Sequence, residues 1–498
     1  MHFFSPYVSN PFLTLRANNL VMKFIFRSFQ VSLVLLLVYP ISGFSQKQWS
    51  LQECVDYAVQ HNLSVKQQFI ATISQENSVN LSLYSFFPSL NASGNGSFNW
   101  GRSVDPFSYT FTNAEIKSIN PSLSSNVTIF NGFQLQNTLK QSKLNFMAGQ
   151  NDLKKIQNDI SLTVVSAYLQ FLYTKEQFKL TQSRVNESQK QRDRTKAMTD
   201  AGAMTQGNLL DAESQLANEE LNNITAENQN TIARLSLIQL LELDSVANFD
   251  IIAPQVDIPT SSVLNSTGDQ VFQLAISHLP EIKSATFKEA SALTSVSIAR
   301  GSYMPRLTMF GSLSTGYSST TRNLDGTPQY LGVFPTGYVT ASGEVVLAPV
   351  FKTDYVKTPI SSQFDNNVTK AVGVSLSIPI FNGFSARYRV SNAKLNLLSA
   401  ETSLQQAKNT VLKSVQQAVA DANAAQKKYQ ALTKSVTALN EAYVYAEKRY
   451  NAGLTSSLEF LTATNNLTRG KVDLLQAKFD LIFKIKILDF YAGNPLAF

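Results

Sequence analysis

Cysteine is almost missing from this chain. Cys54 stands alone among 498 residues, so no intrachain disulfide can form. Histidine is nearly as scarce: His2, His61 and His278 lie far apart, and no Cys/His spacing suits zinc. Neither Gly-x-Ser-x-Gly nor a phosphate-binding Gly-Lys-Ser/Thr loop occurs. Acid pairs can be found, but none sits in a recognisable site. These gaps argue against an enzyme, and no cofactor or metal is implied. Charged residues make up only 15%, while Ser, Asn, Gln and Thr are plentiful. Uncharged polarity of that kind suits surfaces facing a water-filled lumen, and 44% hydrophobic content argues against disorder.

Long apolar runs are also absent, with one exception near the start. Lys23 and Arg27 precede the run at 31–38, and the small-residue site Gly43-Phe44-Ser45 follows. That order is a secretory signal, with cleavage expected before Gln46. The run is too short to span a bilayer, which takes roughly 20 residues. Residues 1–21 add nothing to the pattern, which leaves Met1 or Met22 as the start. Cleavage removes Arg16, Lys23 and Arg27; 42 basic residues less those three, against 35 acidic ones, leave a mature charge of +4. That charge is too small and scattered to imply nucleic acid. Cys54 lies beyond the cleavage site, which speaks against a lipid anchor. A secreted chain without a spanning helix is either soluble or enters a membrane as a closed β-barrel.

Two halves of the chain repeat each other. Phe130-Asn131-Gly132-Phe133 recurs 251 residues later as Phe381-Asn382-Gly383-Phe384, Lys143-Leu144-Asn145 as Lys394-Leu395-Asn396, and Ala201-Gly202 as Ala452-Gly453. A second offset, 217, relates Ala58 to Ala275, His61 to His278 and Pro88 to Pro305. At that same offset two capping boxes correspond, Ser50 with Glu53 and Thr267 with Gln270. The two offsets differ by 34, so the second half carries an insertion. Residues 318–367, rich in Gly, Pro, Thr and Asp, read as that insertion and as a long surface loop. The expected divisions are a signal at 1–45, a first repeat at 46–243, a linker at 244–266 and a second repeat at 267–498. Pro254 and Pro259 break helical periodicity in the linker. Each repeat reads helix, strand, strand, long helix, Gly turn, helix.

Strand segments alternate with period two. Leu90, Ala92, Gly94, Gly96, Phe98 and Trp100 face opposite Ser89, Asn91, Ser93, Asn95, Ser97 and Asn99. Leu123, Ser125, Val127 and Ile129 oppose Ser124, Asn126 and Thr128. In the second half Leu307, Met309, Gly311, Leu313 and Tyr317 share one face, as do Val372, Val374, Leu376, Ile378 and Ile380. One side is apolar and the other small and uncharged, which fits lipid outside and water inside. A soluble sheet edge is the alternative. Four strands cannot close a barrel, and open edges are not tolerated in lipid. Several chains must therefore share the barrel: two would bring eight strands, three twelve.

From Leu404 an apolar or small residue recurs in thirteen steps over 46 residues, a spacing close to 3.5. That is a coiled-coil period. Neither Pro nor Gly interrupts residues 385–451, and a helix of that length reaches about 100 Å. Its counterpart runs from about Gln134 to Asp200. Hairpin tips are expected at residues 201–207 and 451–457.

The segment Tyr450-Asn451-Ala452-Gly453-Leu454-Thr455-Ser456-Ser457-Leu458-Glu459-Phe460-Leu461 resembles the second hairpin tip of TolC-type outer-membrane efflux proteins. Phe-Asn-Gly-Phe after a strand, and Ser-Leu-Gln-Glu-Cys before an Ala-rich helix, are similar to that family too, and the resemblance covers residues 49–493. It implies a mixed membrane β-barrel and α-helical barrel, in which three internally duplicated protomers build a twelve-stranded barrel and a twelve-helix tunnel. It also implies an outer-membrane exit duct whose tips dock a periplasmic adaptor of an inner-membrane pump. By residue match, docking would involve Gly202, Ala203, Met204 and Thr205 with Gly453, Leu454, Thr455 and Ser456. Capping in the αL conformation would itself explain the two glycines. The family closes its tunnel with acidic residues near the tip. Glu459 matches the first of them, but Thr462 stands where the second is expected; the first-half equivalent of Thr462 is Asp211. Glu459 and Asp211 are therefore the expected aperture residues. A polypeptide-secretion duct of a type I system and a coiled-coil surface protein are the alternatives.

Overall fold

The computed structural model describes residues 48–104, 109, 111–113, 115–243, 249–252 and 266–494. The expected secretory signal at 1–45 lies outside them, as does most of the expected linker at 244–266. Strand β1 (Gln48–Trp49) leads into helices α1 (Leu51–His61) and α2 (Leu63–Tyr84). Strands β2 (Ser89–Asn99) and β5 (Ile116–Phe130) follow, with a short ribbon of β3 (Ser103–Val104) and β4 (Phe111–Thr112) between them. Helices α3 (Gln134–Asp200) and α4 (Gln206–Leu240) form the first long hairpin.

Beyond β6 (Asp250–Ile251) the plan repeats. Helices α5 (Gly268–His278) and α6 (Pro280–Arg300) precede strand β7 (Arg306–Ser314) and the short β8 (Tyr317–Ser318). Strands β9 (Arg322–Val339) and β10 (Val345–Lys357), a short helix α7 (Ile360–Asn366) and strand β11 (Thr369–Ser377) come next. Helices α8 (Ser385–Asn451) and α9 (Ser457–Ala492) make the second hairpin. The offset of 217 carries the bounds of α1 onto those of α5, and 251 carries those of α3 onto those of α8.

Local chemistry sets the junctions. Ser50 and Thr267 each accept a hydrogen bond from the third backbone N–H of the helix they start, and Glu53 and Gln270 reach back. Asn62 ends α1 and caps α2 through its own side chain. The Phe-Asn-Gly-Phe turns convert strand to helix with two successive left-handed residues. Gly132 and Phe133 have φ of 67° and 61°, and Gly383 and Phe384 have 61° and 62°. Phe133 is held there by an edge-to-face contact with Phe130 at 5.3 Å, and Phe384 by Phe381 at 5.6 Å.

Both long helices run 67 residues, about 100 Å at 1.5 Å per residue. Every stripe position of α8 from Leu404 to Tyr450 is buried or half-buried. The main core lies far from the tips, where α1 packs across α3 and α4. Cys54, Ala58, Val164, Val165, Tyr168 and Leu237 are its inaccessible centre. Burial holds the Tyr168 phenol well above its ordinary range, so it stays neutral and donates to the Ile252 carbonyl at 2.7 Å. A matching cluster joins α5 to α8 through Val271, Ala275, Val411 and Val415.

At the other end lies one antiparallel sheet of four long strands in the order β11-β7-β5-β2. Ser93 and Ser97 pair with Ser122 and Ser118 on the small polar side, oxygen to oxygen at 2.7 Å. Leu123 sits opposite Leu313, and Val127 opposite Met309, on the apolar side. Strands β2 and β11 are open edges. β11 stops at Ser377, so Ile378 and Ile380 lie past its end, where Pro379 offers no N–H to a ladder.

The insertion at 318–367 differs from the long loop expected. Most of it is the antiparallel hairpin of β9 and β10, separate from the four-stranded sheet. Gly326, Gly332, Gly337 and Pro335 suggested a loop, but they are spaced among β-formers: Tyr330, Val333, Phe334, Val350, Phe351 and Tyr355. Three register irregularities absorb the misfits.

Candidate functional site at the hairpin tips

The two long hairpins end in the same turn. At the first tip the Ala203 N–H donates to the Met198 carbonyl at 2.8 Å, and Gly202 to Thr199 at 2.9 Å. At the second, Leu454 donates to Arg449 at 2.9 Å and Gly453 to Tyr450 at 3.0 Å. These are Schellman turns, and they place Gly202 and Gly453 at φ of 73° and 71°. A Cβ added to either glycine would meet nothing within 4 Å, so both backbones face open space. Thr205 and Ser456 then cap the return helices, accepting from the backbone N–H of Asn208 and Glu459. Leu454 and Leu458 are 69% and 73% exposed beside Gly453, and Leu210 is 57% exposed near the first tip. These three apolar side chains are exposed on and beside the two open turns.

Side chains tie the tips together. The Tyr450 hydroxyl lies 4.0 Å from the Met204 sulfur, and the Ser457 hydroxyl donates to the Asp211 carboxylate at 3.0 Å. Gln215 donates to Asn465 at 3.1 Å. Tyr450 stacks on Phe460 with centroids 4.8 Å apart. The eight expected docking residues therefore lie on two turns that touch. Behind them a cleft of about 290 Å³ opens between the hairpins, lined among others by Arg184, Glu187, Arg194, Asp211, Tyr443 and Glu447. Burial raises the Tyr443 hydroxyl above its ordinary value, with Glu447 and Glu187 adding to the effect.

Glu459 and Asp211 have different partners. Asp211 accepts from Ser457 across the hairpins, whereas Glu459 stays within its own tip. The Arg449 guanidinium pairs with Glu459 at 2.9 Å, and the Thr455 hydroxyl donates to the same carboxylate. Arg449 also donates to the Leu454 carbonyl at 3.3 Å. Sequence reading missed Arg449. Its signal was a cation four residues before Gly453, facing an acid in the first turn beyond it. No cluster of ligating side chains fit for a metal ion occurs among the described residues. No described helix is long and apolar enough to cross a membrane.

The profile described as outer membrane efflux protein matches residues 55–242 and 271–482, one stretch in each repeat. This chain belongs to the outer membrane efflux protein family. The family member is 23% identical over 336 residues to outer membrane protein TolC of Escherichia coli (strain K12). That match covers 66% of this chain and 59% of TolC, less than two-thirds of the relative. Outer membrane efflux protein BepC of Brucella suis biovar 1 is 21% identical over 393 residues, covering 78% of this chain and 74% of BepC. The solved outer membrane protein VceC of Vibrio cholerae aligns with a TM-score of 0.69 at 13% identity, over 90% of this chain and 96% of VceC. At that identity the likeness concerns the fold, a helical tunnel segment joined to a β part. Membership places the chain among outer membrane efflux proteins rather than enzymes.

Proposed function

We propose that this family member is the exit duct of a tripartite efflux system, conducting substrates passively from a periplasmic adaptor and inner-membrane pump to the outside. The single observation that carries this reading is an unfinished sheet at one end of two 67-residue helices. Four strands with an apolar side and two open edges require further strands before they can lie in lipid. Three chains supply twelve strands and twelve tunnel helices, and the homotrimer is part of the proposal. The long hairpins then hang about 100 Å into the periplasm and present both tips to the adaptor. Gly202, Ala203, Met204 and Thr205, with Gly453, Leu454, Thr455 and Ser456, form the docking rim. Open glycine turns let a partner backbone approach closely.

Glu459 and Asp211 guard the aperture in this proposal. Rings of carboxylates at a narrow opening favour cations. Arg449 and Ser457, which hold these acids in the protomer, set the resting state of that opening. The test is single-channel recording of the purified protein in planar bilayers. The wild type should conduct, with block by divalent cations. Glu459→Ala with Asp211→Ala should raise conductance and weaken that block by about tenfold or more, the change expected when acidic ligands are lost from a ring. Unchanged conductance and block would remove the aperture assignment, and a protein that forms no channel would remove the duct.

A further inference from the structure

The internal duplication defines which surfaces meet between chains, and in what register. Offsets of 217 and 251 carry the long strands and the helices of the first repeat onto those of the second, and they preserve pairing. Ser89 opposite Asn126 maps onto Arg306 opposite Ser377, and Ser97 opposite Ser118 maps onto Ser314 opposite Thr369. All nine pairs between β7 and β11 are images of pairs between β2 and β5. The repeats therefore superpose residue by residue within their own hairpins. The joint between them is also visible inside one chain: β5 pairs β7, with Leu123 opposite Leu313 and Ser124 opposite Ser312. A joint that links first repeat to second by one rotation is heterologous, and repeating it generates a ring.

Applying the offsets to that joint gives its image between two copies, with β11 against β2 of the next chain. We propose that the seam between copies pairs Val374 with Gly96, Ser375 with Asn95 and Leu376 with Gly94. This register rests on the assembly proposed above but not on its size, since rings of two or three share it. Two observations support it independently. The faces match: apolar Val374 and Leu376 meet glycines of the apolar side, and Ser375 meets Asn95 of the polar side. Both edges are bare in the protomer, with Val374 61% and Leu376 60% exposed.

The helices carry the same image. Within one chain the Ser291 hydroxyl donates to the Asn145 side-chain oxygen at 2.6 Å where α6 crosses α3. The offsets map Asn145 onto Asn396 and Ser291 onto Ser74, so both residue types recur at the seam, where both are exposed in the protomer. The ion pair beside them does not recur. Asp152 binds Ser284 at 2.6 Å and Lys288 at 2.8 Å. Its image is Ser403 facing Gln67 and Ala71. Apolar Ile70, Ile73, Leu395 and Leu398 are exposed around that image, so the seam between chains is less ionic than the joint within one.

Disulfide trapping in cells producing the full chain tests the register. Cys54 is fully buried and leaves the background low. A Cβ at residue 96 meets only the Ser118 carbonyl at 3.9 Å, and one at 94 meets nothing, so both substitutions fit the strand. Gly96→Cys with Val374→Cys should trap oligomers on oxidation at least about tenfold more efficiently than Gly94→Cys with Val374→Cys, whose diagonal spacing exceeds disulfide reach. Ser74→Cys with Asn396→Cys should trap the same species through the helices. Equal or better trapping by the shifted pair overturns the register. Failure of both matched pairs, while a lysine-reactive crosslinker still shows the assembled ring, overturns it too. If that crosslinker shows no ring, the assembly reading falls and the register with it.

Discussion

Asp421 and Lys484 illustrate how single residues lock the second hairpin. The Lys484 ammonium on α9 donates to the Asp421 carboxylate on α8 at 2.8 Å. Hydrogen bonds from Lys484 and Gln417 hold the Asp421 carboxyl below its ordinary value. A carboxyl depressed on folding stabilises the native state above its unfolded value of about 3.9, and that contribution is lost as pH falls through the lower native value. Asp421→Asn should therefore lower the melting temperature at pH 7. The gap to wild type should close as pH drops below about 4. Melting curves in detergent across that range check this, and a gap that persists at low pH would show that the pair acts through packing rather than charge. Arg449 and Glu459 form a more exposed pair, worth about 1 kcal/mol or less to stability. Their interest lies in the charge they leave at the tip.

At the scale of elements, the inserted hairpin is anchored by one buried side chain. Gln363 on α7 accepts from the Ser318 N–H at 2.9 Å and donates to the carbonyls of Ser318 at 3.0 Å and Thr358 at 2.9 Å. A backbone bond from Thr358 to Thr321 closes the base of β9 and β10. Gln363→Ala would remove these three bonds and take from the Thr358 carbonyl its side-chain donor, at about 1–3 kcal/mol for such a group. The loss should be local, because β9 and β10 do not pair with the main sheet. Limited proteolysis should cut residues 322–357 several-fold faster in the variant while the melting temperature of the long hairpins stays within about 2 °C. Equal cutting rates would show that Gln363 does not hold the insert.

The whole protomer is not a self-contained globule. Its accessible surface is 32957 Å², against roughly 18,000 Å² for a compact chain of 55.0 kDa. Exposed large apolar side chains lie along α2, on the sheet, on the inserted hairpin and at the tips; the proposed ring, membrane and adaptor would cover those on α2, the sheet and the tips. Gly453→Cys should crosslink in vivo to a periplasmic adaptor carrying cysteines in its own hairpin, whereas a cysteine at Asp250, far from the tips, should not. Failure to crosslink from an accessible Gly453→Cys would remove docking at that rim.

How much was legible beforehand follows from the range of the forces involved. The 67-residue helices were readable to their end residues, because heptad spacing, the Phe-Asn-Gly-Phe turns and the Gly tips are local signals. The four strands were readable from period-two alternation. The hairpin at 322–357 was not, since its Gly and Pro content resembles a loop until cross-strand partners are known. The Arg449–Glu459 pair needed the turn that folds α9 back on α8, and the Asp211–Ser457 contact needed one hairpin beside the other. Sequence alone determined the duplication, the succession of the four sheet strands and the long helices, and the candidate tips, because repeats and periodicities are written along the chain. Strand order, register and the partners of each tip carboxylate were decided only by tertiary structure, because those contacts join residues that the sequence keeps far apart.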